Sequence, residues 1–159
     1  PDSTDEMGEL WLQLLPRNSV GFAALRKLHR ELSQQEIAAD FFVRIARDPD
    51  NAAYRLELGK ALGSLGRQRE AFEQLTRAVE LNPSLAEAHQ YVGISFLERR
   101  LFDDARAALE QALALNPDLH RSHLALGLIA EAEGNFPEAE RRLARAVEFL
   151  PDDETRAER

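Results

Sequence analysis

Apolar residues recur along the chain at helical spacing and group into pairs of amphipathic segments. The first clear pair covers residues 52–65 and 68–81, in which apolar positions three and four residues apart alternate with charged ones. This spacing places the apolar side chains on one face of each helix. Short breaks containing glycine, asparagine or proline separate the segments. The pattern predicts an all-α chain built from antiparallel helix pairs.

The pattern repeats every 34 residues, a period that four prolines mark. These are Pro49, Pro83, Pro117 and Pro151. Four further columns with the same spacing hold an apolar residue followed by glycine, then alanine, leucine and alanine: Leu58-Gly59, Val92-Gly93 and Leu126-Gly127; Ala71, Ala105 and Ala139; Leu75, Leu109 and Leu143; Ala78, Ala112 and Ala146. A fixed period of this length indicates stacked copies of one helical hairpin.

Glycines in each unit have a physical explanation. The glycine inside the first helix costs about 1 kcal/mol relative to alanine, which indicates that the two helices cross closely there. Gly66 and Gly134 stand between the helices, where a residue in the left-handed conformation ends the first one. Arg100 holds this place in the middle unit, so we expect a strained turn there.

The repeated columns resemble the tetratricopeptide repeat (TPR) family. The matching residues are Leu58, Gly59, Ala71, Leu75, Ala78 and Pro83; Val92, Gly93, Phe96, Ala105, Leu109, Ala112 and Pro117; Leu126, Gly127, Ala139, Leu143, Ala146 and Pro151. The resemblance implies a right-handed superhelix of antiparallel helix pairs, the TPR α-solenoid. One departure is that Arg55, His89 and His123 replace the family's large aromatic residue early in the first helix.

The same grid divides the chain into segments. We expect TPR repeats at 52–85, 86–119 and 120–151, preceded by a degenerate TPR-like helical pair at 18–51. Residues 1–17, with Trp11 on an apolar stripe, are predicted to form an N-terminal capping helix. A dimer or partner contact is the alternative, because Leu12 and Leu15 make this segment apolar almost all round. Residues 152–159 are either a tail or the start of a truncated C-terminal helix.

The chain offers little for catalysis or cofactor chemistry. It has no cysteine, no nucleophile signature and no glycine-rich phosphate loop, so we expect neither an enzyme nor a bound cofactor. His120 and His123 share a helix face, and His89 lies in the column of His123, but no third ligand is placed to complete a metal site. The histidines are therefore interpreted as packing residues.

Charge and hydropathy narrow the range of partners. The net charge of −8 argues against nucleic acid, and no apolar run approaches the roughly 20 residues that span a bilayer. We therefore expect no direct membrane insertion. The basic residues are 18 arginines against 2 lysines, which favours a GC-rich bacterial source. A soluble protein of the bacterial cytoplasm or periplasm is expected, since the absence of cysteine fits either compartment.

The resemblance places a partner-binding groove on the first helices of the units. In TPR proteins these helices line the concave side, which commonly holds a peptide or helix of a partner. The groove-facing columns in this chain are Leu56, Lys60 and Ser64; Glu87, Gln90, Tyr91, Ile94, Leu97 and Glu98; Arg121, Leu124, Leu128 and Glu131. Some TPR proteins clamp a C-terminal carboxylate with Lys, Asn and Arg in these columns. Leu56, Ile94 and Leu128 occupy them here, so we do not expect that activity in this chain.

These patterns predict a non-enzymatic protein–protein interaction scaffold that binds a partner peptide or helix in the concave groove. Burial of the apolar groove residues under a neighbouring element is the competing interpretation of the same columns. Two other functions stay open. The chain could be a self-associating structural or assembly module whose apolar edges at Trp11 or after Pro151 pair with another copy, giving a homo-oligomer. It could also be an accessory domain of a larger enzyme or membrane-bound apparatus.

Overall fold

The computed structural model describes residues 20–148, which form seven α-helices and no strand. The helices are α1 (Val20–Arg47), α2 (Ala52–Ser64), α3 (Gln68–Leu81), α4 (Ala86–Glu98), α5 (Phe102–Leu115), α6 (His120–Ala132) and α7 (Phe136–Glu148). The capping helix predicted for residues 1–17, with Trp11, and the tail predicted for residues 152–159 lie outside the described residues. None of the helices described is long and apolar enough to cross a bilayer.

The first segment differs from the helical pair expected in residues 18–51, because α1 is one uninterrupted helix. On the 34-residue grid, the turn position of Gly66 corresponds to Leu32. A left-handed conformation costs a residue with a side chain about 1–2 kcal/mol, which favours continuation of the helix at Leu32. Ala38 is buried and Phe41 packs beside it against Leu58 of α2, which attaches the second half of α1 to the stack.

Helices α2–α7 form three hairpins whose members cross closely at glycine, as the sequence predicts. A Cβ atom built at Gly93 would lie 2.6 Å from Cγ of Leu109 and 3.2 Å from the carbonyl oxygen of Ala105. A Cβ atom built at Gly59 would lie 2.7 Å from Cγ of Leu75, and one built at Gly127 would lie 2.9 Å from Cγ of Leu143. Real Cβ contacts are longer than this, so the first helix of each unit can reach the second only with glycine at the crossing.

The turns within the hairpins use the left-handed backbone conformation, which confirms the prediction. Gly66 has φ 76° and Gly134 has φ 77°. Arg100 has φ 60° and is the one non-glycine residue of the described chain with positive φ. The strain expected at this arginine is therefore present.

Successive hairpins stack through their first helices. Helix α2 contacts α4 and α4 contacts α6, whereas the second helices α3, α5 and α7 do not contact one another within the described residues. The first helices therefore lie on the inner, concave side of the stack. Each second helix also contacts the first helix of the next unit, so that α4 covers α3 and α6 covers α5. The architecture is an all-α superhelix of helix pairs.

Candidate functional site: the concave surface

Two of the predicted groove residues are buried between units and offer no surface to a partner. Leu56 is 3% exposed and packs in a cluster with Leu75 and Ala88. Gln90 is 4% exposed, and its Oε1 accepts a hydrogen bond of 3.1 Å from Oγ of Ser122 on the next unit. Both residues hold neighbouring units together. The expectation that they line the groove is replaced by this interfacial position.

The third residue of the same column is exposed because of its place in the stack. Leu124 corresponds to Leu56 and Gln90 but is 44% exposed, since no described unit follows α6–α7 to cover it. Leu128, one turn further along α6, is also 44% exposed. Leu97 is half-buried and packs against the core cluster between the second and third units. Leu124 and Leu128 can be contacted by a partner, and Leu97 only in part.

A polar cluster spans the concave face from α2 to α4. The Lys60 Nζ atom lies 3.0 Å from Oε1 of Glu57 and 3.0 Å from Oε1 of Glu87. The same ammonium is 5.8 Å from the ring centroid of Tyr91. Burial alone would lower the pKa of Lys60, but the hydrogen bonds to Glu87 and Glu57 raise it above its ordinary value. The lysine therefore stays charged and fixes the spacing of the two helices.

Tyr91 also links α4 to α6. Nη1 of Arg121 donates a hydrogen bond of 2.9 Å to the Tyr91 hydroxyl, and the guanidinium carbon lies 5.9 Å from the ring centroid. The tyrosine is thus held between one cation from the preceding unit and one from the following unit. Each contact is within the range of a cation–π interaction, which orients the ring before any partner arrives.

A cleft of about 230 Å³ opens beside this tyrosine. Its concave wall is formed by Lys60, Ser64, Tyr91, Ile94, Glu98 and Arg121, and its floor includes the glycines of α2 at the helix crossing. Glu98 lines the cleft, and Glu131 lines a separate shallow cleft beside α7. Both are exposed and have no ion pair within residues 20–148. The structure therefore brings Lys60, Glu87, Tyr91, Ile94, Glu98 and Arg121 together, with Leu128 and Glu131 further along the same face.

Sequence reasoning missed Glu57, although its i,i+3 spacing from Lys60 is a recognisable signal for a helix-surface ion pair. It also missed the role of the column that departs from the family pattern. Arg55 Nη2, His89 Nε2 and His123 Nε2 contact the carbonyl oxygens of Pro49, Pro83 and Pro117 at 2.8, 2.8 and 3.0 Å. A carbonyl can only accept, so each side chain donates and fastens the loop before its own helix. No group of three metal-ligating side chains occurs among the described residues.

Comparison with known proteins agrees with this geometry. Two family models described as tetratricopeptide repeat match residues 52–85 and 93–154. The TPR repeat-containing thioredoxin TTL4 of Arabidopsis thaliana is 33% identical over 82 residues, which is 52% of this chain and 12% of that protein. The chain thus spans only a small part of this curated relative.

Solved structures match over a larger share of the fold. The crystal structure of MamA has a TM-score of 0.66 at 23% identity, covering 99% of this chain and 91% of the MamA chain. The second TPR of Spaghetti (RPAP3), bound to the HSP90 peptide SRMEEVD, has a TM-score of 0.59 at 17% identity, covering 66% of this chain and 98% of its own. The fold and its repeated columns define a helical repeat protein of the solenoid class. The chain belongs to the tetratricopeptide repeat family, whose members generally act as protein-interaction scaffolds.

Proposed function

We propose that the chain is a non-enzymatic protein-interaction scaffold whose concave surface binds a segment of a partner protein around Tyr91. The observation that carries the proposal is the placement of this tyrosine between Lys60 and Arg121, beside a cleft of about 230 Å³. The second TPR of Spaghetti, which shares the fold, is bound to a peptide, and this supports the same use of the repeats here. The proposal assigns the chain no catalytic step.

The fixed tyrosine ring makes a good anchor for a partner. Tyrosine is enriched among the residues that dominate binding energy, and a ring already held in place loses little conformational freedom on binding. Ile94 lines the cleft beside the ring, and Leu128 adds exposed apolar surface on α6. We infer that an apolar side chain of the partner enters the cleft and contacts these three residues.

The exposed carboxylates set the charge of the preferred segment. Glu98 lies at the cleft beside Tyr91 and Glu131 lines the neighbouring cleft along α7, and neither has an ion pair within residues 20–148. Basic residues flanking the apolar anchor would therefore complement the rim of the site. A C-terminal carboxylate is not the expected ligand, because the columns that would supply a cationic clamp hold Leu56, Ile94 and Leu128. An internal segment of the partner is expected instead.

The proposal can be tested with peptides selected against the folded chain from a random library displayed on phage. Peptides that bind are titrated against the wild type, Tyr91→Ala and Leu128→Ala. Leu115→Ala is a matched control, because Leu115 is 39% exposed but lies at the end of a second helix. We expect Tyr91→Ala to weaken binding at least about tenfold, since anchors of this type contribute about 2 kcal/mol or more. Undiminished binding to both groove variants would contradict the groove assignment.

Self-association is a second candidate, favoured by the exposed apolar face of α1. Leu28 is 52% exposed, Leu32 is 50% exposed and Val43 is 52% exposed, all on a helix whose second half supplies the residues that pack in the core cluster with α2. Light scattering over a concentration series separates this candidate from a monomeric scaffold. A concentration-dependent mass that Leu28→Asp abolishes supports self-association, and a constant monomer mass excludes it.

A further inference from the structure

An apolar face lies uncovered at the C-terminal end of the described stack, on α6 and α7. We call it the terminal face and define it by Leu124, Leu128, Phe136, Leu143 and Val147. Phe136 is 66% exposed and Val147 is 64% exposed, which is high for residues that repeat a core column. A cleft of about 480 Å³ runs along α7 between these two residues and is lined also by Leu143.

The same face is covered one unit upstream, where the structure shows what fits on it. Thirty-four residues before Leu143 stands Leu109, which is 0% exposed. The counterparts of Phe136 and Val147 are Phe102 and Leu113. These residues pack against the cluster to which α6 contributes Ala125, Leu126 and Ile129. The cover at this junction is therefore a single helix with a small and aliphatic face.

The two covering helices, α4 and α6, share a pattern of side chains along the face they present. In each helix the pattern starts at the third residue, which is small and fully buried: Ala88 in α4 and Ser122 in α6. An aliphatic residue follows four positions later, and a small or aliphatic residue follows seven positions later. The residues at these positions are Val92 and Ser95 in α4, and Leu126 and Ile129 in α6. This spacing keeps all three side chains on one helix face.

A fourth position, eleven residues after the small one, makes a polar contact with the preceding unit. At the first junction the Arg99 guanidinium lies 4.5 Å from the ring centroid of Phe72. At the second junction Glu133 occupies the place of Arg99, and its Oε1 accepts a hydrogen bond of 2.6 Å from Nη2 of Arg106. Arg106 in turn occupies the place of Phe72. At each junction the residue of the covering helix thus complements the residue that it contacts: a guanidinium lies over an aromatic ring at the first, and a carboxylate accepts a hydrogen bond from a guanidinium at the second.

On the terminal face the residue in this contact position is Glu140, 34 residues after Arg106. Glu140 is exposed, lines the cleft beside Leu143, and has no ion pair in the described part of the chain. By the logic of the two internal junctions, a helix that covers this face should bring a cation to the Glu140 carboxylate.

We propose that the terminal face docks an amphipathic helix of another protein. The helix carries a small residue, an aliphatic residue four positions later, a small or aliphatic residue seven positions later, and Lys or Arg eleven positions later. The basic residue pairs with Glu140. This interface shares Leu128 with the proposed concave site, but Phe136, Glu140, Leu143 and Val147 lie outside that site, and the proposal does not depend on the function proposed there.

The segment after α7 and the N-terminal segment do not match this pattern. In repeat register, the position of Ala88 and Ser122 falls on Arg156 in the segment after α7. A guanidinium there would replace side chains that are 0% exposed. In the N-terminal part, no position between residues 1 and 47 meets all four requirements, which disfavours a second copy docking through this part. Ser33 comes nearest, but Asp40 stands seven positions later. Neither of these two terminal segments therefore carries the pattern of the covering helices.

The test uses two synthetic peptides that copy residues 119–135, the helix that covers the equivalent face upstream. One keeps Glu133 and the other carries Glu133→Lys, and both are labelled with fluorescein at the N-terminus. Binding is followed by fluorescence anisotropy against the full chain at low salt. Since the peptides differ at one residue, the entropic cost of helix formation is closely matched between them. We expect the Glu133→Lys peptide to bind about tenfold tighter, because an attraction replaces a repulsion of similar size.

The Glu140→Arg variant of the chain should reverse this order and prefer the peptide that keeps Glu133. Val147→Asp should weaken the binding of both peptides, and Tyr91→Ala should leave the binding of both unchanged. Circular dichroism verifies that each variant keeps its helical content. Equal affinity of the two peptides, an order unchanged by Glu140→Arg, or no binding of either peptide at millimolar concentration would overturn the proposal.

Discussion

Arg100 occupies a backbone conformation that the other two units assign to glycine. Its φ of 60° compares with 76° at Gly66 and 77° at Gly134. Arg100→Gly should raise the free energy of unfolding by about 1 kcal/mol, because the relieved strain exceeds the added entropy of the unfolded chain. Urea denaturation monitored by circular dichroism measures the change. Gly134→Arg is the reciprocal control and should destabilise, so an unstable Arg100→Gly chain would contradict the assignment of strain.

The role of Arg55, His89 and His123, which hold the loops, could not be predicted from the sequence. The sequence places Arg55, His89 and His123 in one column and identifies them as a departure from the family pattern. Their common partner is the carbonyl oxygen of the preceding proline, a backbone atom that every residue possesses. A pattern of side chains therefore reveals the column, but only the folded loop reveals what the column binds.

At the scale of the helix, the close crossing inside each hairpin can be tested with two glycines. Gly93→Ala places a Cβ atom 2.6 Å from Leu109 Cγ and should destabilise by about 1–3 kcal/mol, the usual cost of overpacking. Gly63→Ala is the matched control in α2, where the nearest atom would be 3.9 Å away. It should stabilise by up to about 1 kcal/mol through helix propensity. Chemical denaturation of both variants checks the expectation, which opposite signs support and equal effects contradict.

Glu138 in the first turn of α7 gives this helix a pH-dependent stability. A hydrogen bond of 2.7 Å from Arg142 Nε, with the charges of Arg142 and Arg141, lowers the pKa of Glu138 below its ordinary value against the opposing effect of burial. A carboxyl whose pKa is lowered by folding stabilises the fold above its unfolded pKa, and this stability is lost as the pH falls through the folded pKa.

We expect Glu138→Gln to reduce the free energy of unfolding at pH 7 by less than about 1 kcal/mol, because the pair is partly solvated. The difference from the wild type should shrink as the pH falls below the ordinary range of a glutamate. Thermal unfolding from pH 7 to pH 3 measures it. Glu140→Gln, which removes an exposed carboxylate of the same helix, is the matched control. A difference that stays constant across this range would contradict the role of the Glu138 charge.

Most of the helices could be predicted from the sequence, but the exposure of the groove residues could not. Helices α2–α7 and the turn at Arg100 follow from periodicity and from the steric properties of glycine, which are local. Whether a residue of the groove columns is exposed depends on which helix covers it, and the periodicity of the sequence does not give this. Leu56, Gln90 and Leu124 share one column, yet the next unit buries the first two and leaves the third 44% exposed. The single helix α1 (Val20–Arg47) could not be foreseen from the sequence, because Leu32 stands at the turn position where two units have glycine, whereas Arg100 forms the turn without it.

At the scale of the whole stack, the helices within residues 20–148 are held together by contacts between adjacent units only. The first and second units share the ion pair between Lys60 and Glu87, and the second and third share the bond between Arg106 and Glu133. The free energy of unfolding of such an array is the sum of the stabilities of the units and of the interfaces between them. Unfolding of one unit is therefore expected to destabilise the units that pack against it. The middle unit, with two junctions, should then matter more than the last unit, with one.

Hydrogen exchange in Gly93→Val and Gly127→Val tests this difference. Each substitution places a branched side chain at the same crossing position, against Leu109 in the middle unit and against Leu143 in the last. Gly127→Val should speed exchange in α6 and α7 while α2 and α3 keep most of their protection. Gly93→Val should speed exchange in α4 and α5 and also in α6 and α7, because the last unit loses its neighbour. Mass spectrometry of peptic fragments resolves the helices. A uniform increase across α2–α7 in both variants would mean that the units unfold together and would contradict nearest-neighbour stabilisation.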